Sequence, residues 1–271
     1  MDAAQAPEVA PSPWRLVGGL LAPLAHRLED FGRMLALLGD AVRWGVRPPY
    51  RVHLFVEAME FVGVGSLLIV VLVGTFTGMV MALQGVEAAR QFQAENYVGS
   101  GVALTLTREL APVLTALMIT GRAGSAMATE LGSMRITEQI DALDTLAISP
   151  VQYLVAPRLV AGLLMLPVMT LVFDVVGMVG AYVVAVGYQG VDPGPFISNV
   201  QWYLEFSDVT QGLIKAAVFG LTLALIGCHQ GYTASGGAKG VGLATTRAVV
   251  GGSVSVLVLD YFLTDIILAL T

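Results

Sequence analysis

The chain has 271 residues, 56% of them hydrophobic and only 13% charged, with a formal net charge of −6. A soluble domain carries about 25% charged residues, and the acidic balance argues against nucleic acid as a partner. The single cysteine, Cys228, excludes a disulfide framework within the chain and sits in an apolar run, where a buried inert thiol is expected.

Taken in chain order, residues 1–13 read as a disordered tail, too rich in Pro, Ala and acid to bury a core, and without the pattern of a signal peptide. Residues 14–50 form a second region. Trp14, Leu20, Leu21, Leu24, Leu28, Phe31, Leu35 and Leu38 recur at helical spacing between charged residues, which predicts an amphipathic helix lying in the membrane interface. Pro48 and Pro49 end it. Residues 51–271 form the membrane domain. Stretch 52–65 enters at the surface with Glu57 and Glu60, and 66–84 is uncharged and long enough to cross. A polar loop follows over 85–100. Further spans are expected near 101–128, 157–187, 208–229 and 243–270. The connections are a polar amphipathic stretch at 132–150, a loop with interfacial aromatics at 188–207 and a glycine-rich loop at 231–242. The fold class is therefore all-α and polytopic, with about five transmembrane helices. Arg15, Arg27, Arg33, Arg43, Arg47, Arg51, Arg122, Arg135, Arg158, Lys239 and Arg247 fall on one side if the N-terminus is cytoplasmic and the C-terminus is outside. Only Arg90 falls opposite. No internal repeat is visible, which disfavours an inverted-repeat carrier.

Ionisable residues inside spans are costly and point to function. Arg108 and Glu109 lie in the second span, Lys215 in the fourth and Asp260 in the fifth, all in the outer half under this orientation. Expected pairings are Lys215 with Asp260, and Arg108 with a carboxylate or a lipid phosphate. Structural ion pairing between helices is the alternative for all four. Asp174 and Asp265 read as helix contacts or wet positions. Gly121, Gly124, Ser125, Ala126, Ala128 and Gly132, with Gly177 and Gly180, are small residues that let helix backbones approach.

The segment SMRITEQIDALDTLAISP, residues 133–150, predicts a short cytoplasmic helix. Ile136, Ile140, Leu143 and Leu146 fall on one side and Glu138, Asp141 and Asp144 on the other, with Ser133 or Thr137 as cap and Pro150 as stop. Such an acidic amphipathic helix fits a partner's groove. No phosphate-binding G-x-x-x-x-G-K-[ST] loop exists; Lys239 in the glycine-rich run is followed by Gly240. His26, His53 and His229 show no metal-ligand spacing, and no nucleophile elbow appears. The chain has no motor and no catalytic constellation, so it reads as no enzyme.

The run RELAPVLTALMITGRAGSAMATELGSMRITEQIDALDTLAISPVQYLVAPR over 108–158, with ATTRAVV at 244–250 and LDYFLT at 259–264, resembles the MlaE (YrbE) permease family from about residue 50 onward. The resemblance implies the homodimeric permease core of an ABC-type transporter in the bacterial inner membrane. Such a core moves phospholipids between the inner and outer membranes. It implies a cytoplasmic ATPase as partner, a periplasmic MCE-domain ring and often a STAS-domain protein, with ATP used on the ATPase and no cofactor on this chain. Residues 133–150 match the family's coupling helix, giving Arg135, Glu138, Asp141, Leu143 and Asp144 as ATPase-coupling residues. Arg108, Glu109, Lys215 and Asp260 match charged positions near the lipid cavity. Leu72, Phe76, Met79, Val80 and Leu83 are expected to line that cavity with acyl chains. Two rival readings are a membrane anchor for the ring that transports nothing, and an ion-coupled carrier.

Overall fold

The computed structural model describes residues 13–45, 47–48 and 51–270, with side chains for residues 28–45, 47–48 and 51–269. The tail expected over 1–13 lies outside the described residues apart from Pro13. Pro13 opens the first helix, α1 (Pro13–Gly45), where its missing N–H costs nothing. Every described element is helical, and five helical stretches are long and apolar enough to cross a membrane.

The first stretch is bent. Helix α2 (Val52–Val62) ends at a tight 3₁₀ turn, Val64–Ser66, before α3 (Leu67–Arg90). The surface entry expected over 52–65 is thus mostly helix, and α3 runs six residues into the expected polar loop. Val86 is buried and Ala89 packs on the core there, and Arg90 donates from Nη2 to the Gln189 carbonyl at 2.6 Å. Those contacts hold the last turns of α3 helical.

The second stretch comprises α4 (Val98–Thr105), α5 (Ala111–Ile119) and α6 (Ser125–Ile136). Two π turns join them, Leu106–Leu110 and Thr120–Gly124. After the short α7 (Gln139–Thr145), a π turn at Val151–Val155 leads into α8 (Ala156–Tyr182). The predicted loop at 188–207 contains a helix, α9 (Pro193–Tyr203). Asp192 caps it by accepting from the Gly194 N–H at 2.9 Å, with Pro193 in the first position. Two long helices close the chain, α10 (Phe206–Tyr232) and α11 (Gly237–Leu270). The glycine-rich loop shrinks to a few residues, and Gly236 at φ 89° supplies a turn that a side chain would resist.

Helix α8 sits between α3 and α10, and α10 also packs on α6 and α11. Small residues set these spacings. A methyl group at Gly78 would overlap the Gly177 carbonyl, one at Gly180 the Thr75 carbonyl, and one at Gly220 the Gly162 carbonyl. Close backbone approach of this kind drives helix association where the hydrophobic effect cannot. Gly124 of the second π turn and Ala128 of α6 likewise face Gly227 and Gly231 of α10, whereas a methyl group at Gly121 would meet nothing within 4 Å. Phe173, Phe219, Leu106, Ile119 and Leu166 fill the space between the helices.

Candidate functional site

Arg108, Glu109 and Asp260 converge on one face of α10. Asp208 and Lys215 lie two turns apart there, so both side chains point the same way. The π turn Leu106–Leu110 presents consecutive residues to them: Arg108 reaches Asp208 and Glu109 reaches Lys215. Lys215 is 2% exposed. Its ammonium donates to Glu109 Oε2 at 2.6 Å, to Thr264 Oγ1 at 2.7 Å and to the Arg108 carbonyl at 3.1 Å. Asp260 Oδ1 stands 3.1 Å from the same nitrogen without hydrogen-bond geometry, as a charge contact. One ammonium of the fourth span thus meets acceptors drawn from the second and fifth spans. An isolated ammonium would be expensive in an apolar interior, and two carboxylates neutralise it here.

Arg108 stands beside this group. Its Nε and Nη2 both approach Asp208 Oδ1, at 2.8 and 2.6 Å. Asp208 is almost fully buried and has a second task. Its Oδ2 accepts from the Glu205 N–H at 2.9 Å, closing a capping box at the start of α10. The Arg108 side chain remains 44% exposed despite the pair. Arg108, Glu109, Lys215, Gln211 and Thr264 line a cleft of about 330 Å³, with Thr105 beside them and Leu104, Ile267 and Leu268 as its apolar wall. Chemically, the cleft offers one accessible guanidinium over a buried, internally neutralised base. Asp208 escapes sequence reasoning because it stands at the very edge of the fourth span; the E-x-x-D pattern at 205–208 is the signal that marks it as a cap.

Asp174 is buried in α8 with Oδ1 unpaired, and Asp265 is exposed. No hydrogen bond or ion pair among the described residues joins either to the cluster. Among the described residues, no group of three His, Cys, Asp or Glu is placed to hold a metal.

The apolar residues expected to line a cavity divide in two. Leu72, Phe76, Val80 and Leu83 form an exposed stripe along α3, with Phe76 63% exposed. Met79 turns inward: its Cγ lies where a methyl group on Gly180 of α8 would come within 3.3 Å. Residues 72 to 83 are one helix, and its 3.6-residue period assigns these two faces.

At the other end of the second stretch, α7 carries the acidic face expected over 133–150. Glu138, Asp141 and Asp144 are exposed, Ile140 is buried and Leu143 is half-buried against the core. Arg135 pairs with Asp141 at 2.6 Å. Three details differ from the sequence reading. Glu138 precedes the helix in a left-handed conformation (φ 60°) with no side-chain cap, so neither Ser133 nor Thr137 serves. Thr137 Oγ1 instead donates back to the Ser133 carbonyl at 2.8 Å. Leu146 is 68% exposed, because the helix has ended at Thr145 and the chain turns at Ala147 (φ 57°) before Pro150 opens the next element. The two stems of this segment are tied together. Arg158 at the start of α8 pairs with Glu130 of α6 at 2.8 Å and donates to the Leu154 carbonyl at 2.6 Å.

A family model described as permease MlaE matches residues 55–266. The intermembrane phospholipid transport system permease protein MlaE of Haemophilus influenzae is 40% identical over 256 residues, 93% of this chain and 98% of that one. A probable ABC transporter permease protein of Rickettsia typhi is 40% identical over 82% of this chain and 86% of its own length. The chloroplast protein trigalactosyldiacylglycerol 1 of Arabidopsis thaliana is 36% identical over 77% of this chain and 60% of its own.

Proposed function

The chain belongs to the MlaE permease family, and from that premise we propose a specific role for it: the membrane-spanning subunit of an ATP-driven transporter that moves phospholipids between the inner and outer membranes, helping to maintain outer-membrane lipid asymmetry. The observation that carries this reading is the near end-to-end similarity to the Haemophilus protein, whose name states that transport. The chemistry of the chain supports it. An exposed apolar stripe on α3 suits acyl chains, each buried CH₂ contributing about 0.8 kcal/mol. An accessible guanidinium at Arg108 suits a phosphate.

In this account the N-terminus is cytoplasmic and the C-terminus periplasmic. Helix α1 lies in the interface, with Leu28, Phe31, Leu35 and Val42 exposed toward lipid. Two copies of the chain enclose the lipid cavity. A cytoplasmic ATPase docks on residues 133–150, an MCE-domain ring stands on the periplasmic side, and a STAS-domain protein accompanies the ATPase. ATP binding closes the motor and displaces α7. The spans then exchange two arrangements that hold lipid differently, since a ligand or motor shifts an equilibrium only by its differential affinity. Arg108 meets the head group, while Lys215 keys the three spans together from its buried position.

The test is to purify the chain with its co-expressed subunits, identify them and the bound lipid by mass spectrometry, and reconstitute the complex. ATP-dependent phospholipid transfer is the expected result. An intact complex that carries the ring yet moves no lipid would identify the chain as an anchor instead.

A further inference from the structure

The second π turn, Thr120–Gly124, holds an arginine that the lipid site does not use. Arg122 crosses to the bend between α2 and α3. Its Nη1 donates to the Phe61 carbonyl, one of the end-of-helix carbonyls of α2 that lack a partner within the helix. The same nitrogen lies 3.2 Å from Ser66 Oγ, and the guanidinium carbon stands 4.8 Å from the centre of the Phe61 ring. Gly65 makes the room: any Cβ there would run into the guanidinium. A single cation therefore fastens a non-α turn of the second span to a non-α turn of the first.

Its position along the chain matters. Arg122 is fourteen residues after Arg108 and thirteen before Arg135. At about 1.5 Å per residue that is roughly 20 Å from each. Below it, α6 runs to the 133–150 segment, whose stems the Arg158–Glu130 pair holds together. Above the bend, α3 carries the exposed stripe of Leu72, Phe76, Val80 and Leu83. The π and 3₁₀ turns are the places where these helices depart from α geometry, and such turns mark hinges. Arg122 thus stands between the exposed stripe of the first span and the 133–150 segment that follows the second.

We propose that Arg122 is a positioning residue that latches the α2–α3 bend to the Thr120–Gly124 turn and so passes movement of the 133–150 segment to the lipid-facing helix α3. The proposal rests on the reading of the chain as an ATP-driven lipid permease. The latch is separate from the Arg108–Lys215 cluster and from the acidic face of 133–150, so its loss separates two quantities that a merely structural defect would lower together.

The experiment reads phospholipid moved per ATP hydrolysed by the reconstituted complex. Wild type is compared with Arg122→Ala, Gly65→Ala and the double variant. Each single change is expected to lower the ratio at least tenfold while ATP hydrolysis stays within about twofold, because Gly65→Ala evicts the guanidinium that Arg122→Ala deletes. The double variant is expected to match Arg122→Ala alone, since both act on one interaction. Unchanged ratios overturn the latch, as does a double variant whose loss is the product of the single losses. If Arg122→Ala fails to assemble, Gly65→Ala and Ser66→Ala, which retain the arginine, carry the test, and an unchanged ratio in both overturns the proposal. A wild-type complex that moves no lipid overturns the permease reading itself.

Discussion

The two ends of the second helical stretch solve opposite problems. At Arg108 and Glu109 every charge has found its partner inside the protein, and Lys215 is closed off by two carboxylates, a hydroxyl and a carbonyl. At Glu138, Asp141 and Asp144 the charges point outward from a helix of seven residues, entered and left through left-handed residues, Glu138 and Ala147. So short a helix is not stable by itself in water; Ile140 and Leu143 anchor it. In the Arg108–Lys215 cluster the charges are neutralised within the chain, whereas the acidic groups of 133–150 face outward, Asp141 sharing a surface pair with Arg135. The first region is fixed by its own contacts, and in the proposed role the second is completed from outside.

That contrast can be broken most severely at Lys215. Replacing it with Ala strands Glu109 and Asp260 beside a buried gap, at an expected cost of roughly 3–5 kcal/mol. A large fall in Tm of the detergent-solubilised protein would show this, and adding Glu109→Gln and Asp260→Asn should recover much of the loss. A Tm unmoved by Lys215→Ala would mean that the cluster does not hold the spans together.

Asp208→Ala comes next, removing both the α10 cap and the partner of Arg108. Loss of a cap alone costs about 0.5–2 kcal/mol. Asp208→Asn keeps the cap and should recover part of the stability but not the hold on Arg108.

Ala147→Gly relaxes a left-handed residue worth roughly 1–2 kcal/mol of strain, partly offset by the entropy glycine adds to the unfolded chain. A slight rise in Tm is expected, and a clear fall would show that the turn at residue 147 is set by packing rather than tolerated. Arg108→Ala leaves the nearly buried Asp208 carboxylate with only the Glu205 N–H, so a fall in Tm is expected that adding Asp208→Asn should partly reverse. It should also lower the phospholipid that co-purifies with the complex several-fold, measured by lipid extraction and mass spectrometry. Normal lipid content would return Arg108 to a purely structural part.

The spans and the charged residues within them are legible in the sequence because both follow from composition over windows of some twenty residues. The partners of those residues are not. Arg108 meets Asp208 across one hundred positions, and Lys215 meets Thr264 across forty-nine. Nothing local announces either pairing. Lys215 with Asp260 is foreseeable only because oppositely charged residues in spans are few. The π turns escape for another reason: they leave hydrophobic periodicity almost intact while shifting the face that each side chain takes. Helix α9 was within reach, since Asp192 and Pro193 spell a cap and a first turn, but the Gly and Pro content of 188–195 reads equally well as loop. For 133–150 the acidic face follows from spacing, and its uncapped, left-handed start follows from how α6 ends, which no residue pattern states.

In the proposed role a motor outside the chain drives it through residues 133–150, remote from the Arg108–Lys215 cluster. The most direct measurement is lipid moved per ATP hydrolysed by the reconstituted complex carrying Asp141→Lys and Asp144→Lys. Both side chains are exposed and the Arg135–Asp141 pair that is lost lies at the surface, so thermal stability should stay within about 1 kcal/mol of wild type. The expected result is a folded, inserted protein whose lipid transfer no longer follows ATP hydrolysis, with the ratio down at least tenfold. Unchanged ATP-driven transfer in that variant would contradict it.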